Sequence, residues 1–397
     1  MTLQELMTRW NGYQIEMRRW FHQHPEESTK EVRTAERIRA ELDRAGIPWR
    51  PCGLGTGTLA RIEGAQPGRT ILLRGDIDAL SVNEETGLPY ASEVPGVMHA
   101  CGHDCHISML LTAAMIVNEI RDRLKGTIVF AFQPAEELGL GARAMIEEGA
   151  LEGVDACFGM HVWSDYPAGT VALRKGPMMA SGDQFKIHVR GKSTHGAQPQ
   201  LGADALIMGA AIAQNLQTIV SRETYPGDTA VVTVGKFHSG TRFNVVAGTA
   251  ELEGTTRTFS PAVRDRFEEQ ITRIARSTAE AMRGTADVEY LRIVPVTVND
   301  PGMIDVVTGA AGKIFGDKGV IEADLQMGGE DFAFYQRHLP GVFFLLGTGV
   351  PEGQENPSDS DGCSAYATSA LHTDTMLFDE EILLKGLDVY KRLLLLA

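Results

Sequence analysis

Long apolar runs are missing from this chain of 397 residues. No stretch approaches the roughly 20 consecutive apolar residues of a membrane-spanning helix, and Leu393 to Leu396 is too short to mean membrane. Met1 to Glu5 shows no basic segment leading into an apolar run, so no secretory leader is apparent. Positive charge is scarce as well: 37 Lys and Arg stand against 52 Asp and Glu, a formal net charge of −15, with no basic run. That balance argues against a nucleic-acid partner, whose affinity would come mostly from clustered Lys and Arg. Cysteine is sparse. The five, at 52, 101, 105, 157 and 363, are odd in number and scattered, which fits a reducing, cytoplasmic compartment better than a disulfide framework. No internal repeat is present.

What remains is a turn-rich α/β protein. Hydrophobic residues make up 43% and charged residues 22%, and 43 glycines supply turns; the length suits two domains. The densest chemistry lies in Met98-His99-Ala100-Cys101-Gly102-His103-Asp104-Cys105-His106, where two thiols, three imidazoles and a carboxylate share one short window. A nucleophilic cysteine needs a positioned base, and His103 would point away from Cys101 if the segment were extended. A structural zinc site needs a second cysteine pair, and the chain has none. A catalytic metal site remains, with ligands drawn from elsewhere in the sequence.

Those ligands are sought at strand ends. Ile71 to Gly75, Thr127 to Gln133 and Asp155 to His161 are apolar runs of buried-strand type, leading to Asp76-Ile77-Asp78, Glu136-Glu137 and His161. If the three lie parallel in one sheet, those polar groups converge at its carboxyl edge. Adjacent glutamates allow one to ligate while the other acts as a general base. Helices are expected over about 3–21, about 30–45, 107–120 (with Asp104 as N-cap), 141–148, 302–315 and about 379–395, and a strand over 341–347. His22 and His24 are expected at a helix end or on the surface. From Phe185 to Arg190 the pattern alternates with period two, and a β-α-β-β-α-β order follows, placing an inserted α+β domain at about 180–293 within a discontinuous domain 1–179 plus 294–397. The polar stretch Pro351 to Ser364 reads as a loop.

The ordered motifs Arg74-Gly75-Asp76-Ile77-Asp78-Ala79-Leu80, His99-Ala100-Cys101-Gly102-His103-Asp104, Phe132-Gln133-Pro134-Ala135-Glu136-Glu137, Gly159-Met160-His161 and Leu371-His372-Thr373, together with Gly329-Glu330-Asp331-Phe332, resemble those of the N-acyl-amino-acid amidohydrolases. That family of di-metal hydrolases includes hippurate hydrolases, bacterial aminoacylases and auxin-conjugate hydrolases. The resemblance implies a zinc-peptidase-like central sheet flanked by helices, with the insert as a lid or dimerisation domain. It implies two divalent metal ions (Zn, Mn, Ni or Co) bridged by Cys101, with His103 and His161 on one ion and Glu137 and His372 on the other. Glu136 is then general base and acid, with Asp78 and Asp104 behind the ligands. Spacing does not separate Cys101 from Cys105; the motif alone selects Cys101.

In the insert, Gly191 to Ala197 resembles the segment whose histidine, here His195, stabilises the oxyanion, and the segments around Asn244 and Arg257 resemble those that hold a substrate carboxylate. Arg suits that task through paired hydrogen bonds. The implied substrate is an N-acyl or N-aroyl amino acid, and the implied assembly a homodimer or homotetramer. A dipeptidase or carboxypeptidase on the same scaffold, or a non-catalytic conjugate-binding protein, are the alternatives. Ser81 stands where the family usually has proline, and Met376 and Leu377 where it often has an aromatic and an acid. The loop Pro351 to Ser369 is longer and more polar than usual; these departures bear on substrate identity.

Overall fold

The computed structural model describes residues 2–350, 369–377 and 380–393. The expected loop Pro351 to Ser364, with Cys363, lies outside the described residues, as does the tail beyond Leu393. The chain forms two compact units, one of residues 1–178, 298–324 and 331–397, the other of residues 179–297 and 325–330.

In the first unit, α1 (Leu3–Gln23) opens on a capping box between Thr2 and Glu5 and buries Leu6, Met7, Met17 and Phe21. Helix α2 (Val32–Arg44) follows, then β1 (Trp49–Pro51), β2 (Thr58–Glu63) and β3 (Gln66–Asp76). Helix α3 (His103–Ile120) is buried along His103 to Val117. It is apolar all round because the sheet lies on one side and α1 and the helix Glu381–Leu393 on the other. Strand β4 (Lys125–Gln133), α4 (Gly141–Glu147), β5 (Ala156–Pro167) and β6 (Val171–Leu173) complete the first segment. The sheet order is β1, β2, β4, β3, β5, Gly341–Gly349, β6, Val320–Glu322. Strands β4, β3, β5 and Gly341–Gly349 run parallel, and β2 is antiparallel to β4. Asp76 is in register with Gln133, so the chain leaves β3 and β4 side by side.

Two sequence expectations change here. Strand β5 runs past His161 to Pro167, so His161 lies within a strand and not at its end. Strand β2 was not expected, because only its buried positions Thr58, Leu59, Ala60 and Ile62 are apolar or small, and Arg61 and Glu63 face outward.

The second unit is a four-stranded antiparallel sheet in the order Ala230–Ser239, Thr249–Thr258, Ser181–Arg190, Thr285–Val294. Helices Ala205–Thr218 and Pro261–Ala281 pack on it, giving the β-α-β-β-α-β order. Phe185, Ile187 and Val189 are buried while Lys186 and His188 face outward, as period-two alternation demands. A buried ion pair joins Asp183 to Arg264, at 2.9 and 2.6 Å. Among the described residues, no helix of either unit is long and apolar enough to cross a membrane.

Candidate metal centre and active site

Gly102 explains how Cys101 and His103 come to face one cluster of side chains. It sits at φ 81°, ahead of the first turn of α3, and this left-handed residue breaks the extended path that would send the two side chains apart. The Cys101 sulfur lies 3.4 Å from His161 Nε2 and 3.2 Å from His372 Nε2. Glu137 Oε1 is 3.4 Å from His372 Nε2 and 3.9 Å from His103 Nε2. The Glu136 carboxylate joins them, with one oxygen within 4.8 Å of donor atoms of His103 and Glu137.

These spacings fit metal binding. Donors about 2.0–2.3 Å from a tetrahedral ion stand about 3.3–3.8 Å from one another. His103 Nε2 and Glu137 Oε1 are buried with no hydrogen-bond partner, a costly arrangement for a protein interior unless something else engages them. Each imidazole is oriented from its far side: His103 Nδ1 donates to the Asp78 carbonyl at 2.9 Å and faces Asp78 Oδ1 at 3.2 Å, and His161 Nδ1 donates to the Val162 carbonyl at 2.6 Å. Nε2 of each is thereby left as the donor atom. His372 is held by its backbone, with φ 67° and its N–H on the Ala100 carbonyl at 2.8 Å.

The electrostatics ask for a cation. Burial, then the Glu137, Glu136 and Asp76 carboxylates, push the Cys101 thiol far above its ordinary value, so a thiolate there needs a positive partner. Burial alone would keep His103 neutral, but Asp76, Asp78 and Glu137 outweigh it and raise it to about 10. Burial and the neighbouring His106 keep His161 neutral, well below its usual range. Cys105, by contrast, is packed in the core, and burial raises its thiol well above the ordinary range.

Asp104 does not cap a helix. The helix begins at His103 behind Gly102, and the buried Asp104 carboxylate turns away to meet Arg18 Nε at 3.0 Å and His22 Nδ1 at 2.8 Å. His22 does lie in the last turn of α1, but it is buried and paired with Asp104 and Glu84 and neither caps the helix nor faces solvent; its partners lie too far along the chain for the local sequence to show them. His24 does sit at the end of α1, its ring stacked on Trp20.

Residues around the ligands organise the floor of the site, His106 among them, which the sequence offers as a group that steadies the ligands. Asp76 accepts from His106 Nδ1 and from Arg74, and His106 Nε2 accepts the Val162 N–H at 3.0 Å, one residue beyond His161. His106 is thus committed to backbone and carboxylate. Arg74 also reaches Gln133 and Asp331, each at 2.9 Å. Glu31 binds the backbone N–H of Ala135 at 2.9 Å. His99 is buried with neither ring nitrogen partnered, and burial lowers it to about 4.

The residues expected in the insert lie in the second unit. His195 is exposed, on a two-residue strand paired with Val245–Val246, and its Nδ1 accepts the Ala197 N–H at 3.0 Å. Asn244 is its neighbour, accepting the Gly196 N–H at 2.8 Å through its carbonyl. Arg257 stands on the strand Thr249–Thr258, its guanidinium over Gly182, where a Cβ would fall 1.9 Å from Nη1. Burial lowers its pKa.

Residues 72–395 match the family model for peptidase family M20/M25/M40. The chain belongs to that family. It is 42% identical over 344 residues to an N-acetyl-L-cysteine deacetylase of Bacillus subtilis (strain 168), covering 87% of this chain and 82% of that one. It is 37% identical over 376 residues to thermostable carboxypeptidase 1 of Saccharolobus solfataricus, covering 94% and 92%. Among solved structures, the Bacillus subtilis YXEP protein, described as a dinuclear metal binding peptidase from the M20 family, superposes with a TM-score of 0.82 at 36% identity, covering 98% of each chain. The mixed central sheet flanked by helices is therefore an M20-family fold.

Proposed function

We propose that this M20-family chain is a metal-dependent amidohydrolase that cleaves the amide bond of N-acyl or N-aroyl amino acids, giving a carboxylic acid and a free amino acid. The observation that carries the reading is the half-buried Glu136 carboxylate set beside the donor set of Cys101, His103, Glu137, His161 and His372. A binding protein has no use for a second carboxylate at that place. The deacetylase among the relatives supports the substrate class, and the dinuclear YXEP structure supports two ions. Cys101, His103, Glu137, His161 and His372 would hold the two ions, with the Cys101 sulfur close to both His161 and His372.

Bound there, two divalent ions supply Lewis acidity that polarises the amide carbonyl and makes water acidic enough to react near neutral pH. Glu136 takes a proton from the attacking water as its oxygen bonds to the carbonyl carbon, and delivers that proton to the amine nitrogen as the C–N bond breaks. His195 is proposed to donate Nε2–H to the developing oxyanion, since the Ala197 N–H occupies Nδ1. Asn244 and Arg257 are proposed to hold the substrate carboxylate. Residues 180–293 are the proposed lid or dimerisation domain, with a homodimer or homotetramer as the assembly. The free, buried thiols of Cys52, Cys101, Cys105 and Cys157 support a reducing, cytoplasmic setting.

Metal analysis followed by assay of N-acetyl, N-benzoyl and N-indoleacetyl amino acids is expected to show amine release that a chelator abolishes and added metal restores. No release from any of them with metal present would overturn the reading. The carboxypeptidase relative favours a second reading, peptide cleavage, which predicts that substrates with a free α-amino group turn over as well as their acylated forms.

Asp78 gives a separate expectation. It orients His103 and also accepts the Glu137 N–H at 3.1 Å, so Asp78→Ala should weaken metal retention by about 10–100-fold. Competition with a chromogenic chelator measures this, and wild-type affinity would remove Asp78 from the role.

A further inference from the structure

The loop that presents Glu136 and Glu137 is built on a backbone conformation that its sequence does not favour. Ala135 has φ 49°, a region disfavoured for any residue with a Cβ. The turn closes tightly around it: its carbonyl accepts from the N–H groups of Leu140 and Gly141, at 3.2 and 3.3 Å, and the Glu136 carbonyl accepts from Gly139 at 2.7 Å. Gly141 has no room for a side chain, since a Cβ would fall 1.6 Å from the Pro134 carbonyl oxygen. The Ala135 N–H points out of this turn and onto Glu31 Oε1, at 2.9 Å.

Glu31 is fully buried, and its partners are neutral donors: the N–H groups of Ala135 and Thr29 on Oε1 and the Thr56 hydroxyl on Oε2, each at 2.9 Å. A buried carboxylate without a cation partner is costly, and beside its local contacts to Thr29 and Thr56 this one holds a peptide 104 residues away. The same short segment holds the next contact as well. Ser28 donates to Asp78 Oδ2 at 2.7 Å, and that oxygen accepts the Glu137 N–H. Glu136 therefore sits between two peptides, those of Ala135 and Glu137, both anchored from residues 28–31.

We propose that Glu31 is a positioning residue for Glu136: its buried carboxylate, through the Ala135 N–H, holds the left-handed turn that aims the Glu136 side chain. The inference rests on the reading of Glu136 as the proton-transfer group. Removing the anchor misplaces that group without touching substrate or metal, so the loss falls on kcat.

Glu31→Gln keeps the shape but sets an NH2 group against donors. It is expected to lower kcat by about 10–100-fold, as small misplacements of reacting groups do, with KM and metal content unchanged. Adding Ala135→Gly, which lets the turn form without a Cβ penalty, is expected to recover a substantial part of that loss. Thr56→Val, which removes one contact and leaves the carboxylate in place, is expected to lower kcat by about threefold or more through the same loosening. Wild-type kcat in Glu31→Gln overturns the proposal, as does a loss that tracks metal content or folded fraction and is not relieved by Ala135→Gly. If Glu31→Gln does not fold, wild-type kcat in Thr56→Val overturns it. Glu136→Gln, run in parallel, separates this from the underlying reading: turnover there removes the base assignment, whereas an inactive Glu136→Gln beside a fully active Glu31→Gln removes only the positioning role.

Discussion

Glu136→Gln is expected to cut kcat by about 10²–10⁴-fold, the usual contribution of a positioned general acid and base. Gln is isosteric and neutral, so it keeps the packing of the 134–141 loop but can neither accept the water proton nor return it to the amine. The donor set does not include Glu136 in the proposed arrangement, so metal content should match that of the parent enzyme. KM should change little, since a group that acts only in the transition state does not alter ground-state binding. Metal analysis and steady-state kinetics on the same preparation decide it: a variant that retains turnover is incompatible with Glu136 as the base, and one that loses metal along with activity points to Glu136 as a ligand.

The parts of this site visible in the sequence are those carried by short-range pattern. The apolar runs of β3, β4 and Gly341–Gly349 are buried strands on both faces, which is why near-continuous hydrophobicity marks them. The cluster around Cys101 stands out because it is dense. What could not be read was anything set by long-range partners. Asp104 looks like a helix cap by position, yet Arg18 and His22 on α1 claim its carboxylate. Gly102 hides the geometry that matters most, since its left-handed φ decides that Cys101 and His103 converge. Glu31 and Arg74 resemble ordinary charged residues until the fold shows each of them buried. The spacing of thiols left Cys101 and Cys105 equal; the motif selects Cys101, and the helix start then separates them physically, one facing the histidines and the other the core.

Arg74→Met is expected to destabilise the first unit by about 3–5 kcal/mol, the cost of removing one member of a buried ion network. Arg74 is 1% exposed and bonds Gln133 Oε1, Asp76 and Asp331 Oδ1. Both acids are buried, and neither can reach water once the guanidinium is gone. Burial already pushes Asp331 up to about 6 against the pull of Arg74, while Arg74, with His103 and His106, outweighs burial and holds Asp76 well below the usual carboxylate range. Without Arg74 both acids bind protons more tightly in the folded state, whereas their unfolded values stay near 3.9. Asp331, already above its unfolded value, then keeps its proton in the folded variant to still higher pH than the unfolded chain does, so stability falls as pH rises through its raised value. The deficit against the parent should therefore be widest at pH 7 and above and narrower at pH 5, because a proton on Asp331 partly replaces the missing charge. Arg74→Lys should recover only part, since an ammonium cannot present the planar fork that serves three acceptors at once. Thermal melts of both variants and the parent across that range test the account, with a drop of about 5–9 °C expected for Arg74→Met near neutrality. A gap that is constant with pH, or that widens on acidification, would show that the carboxylates are not what Arg74 holds in check.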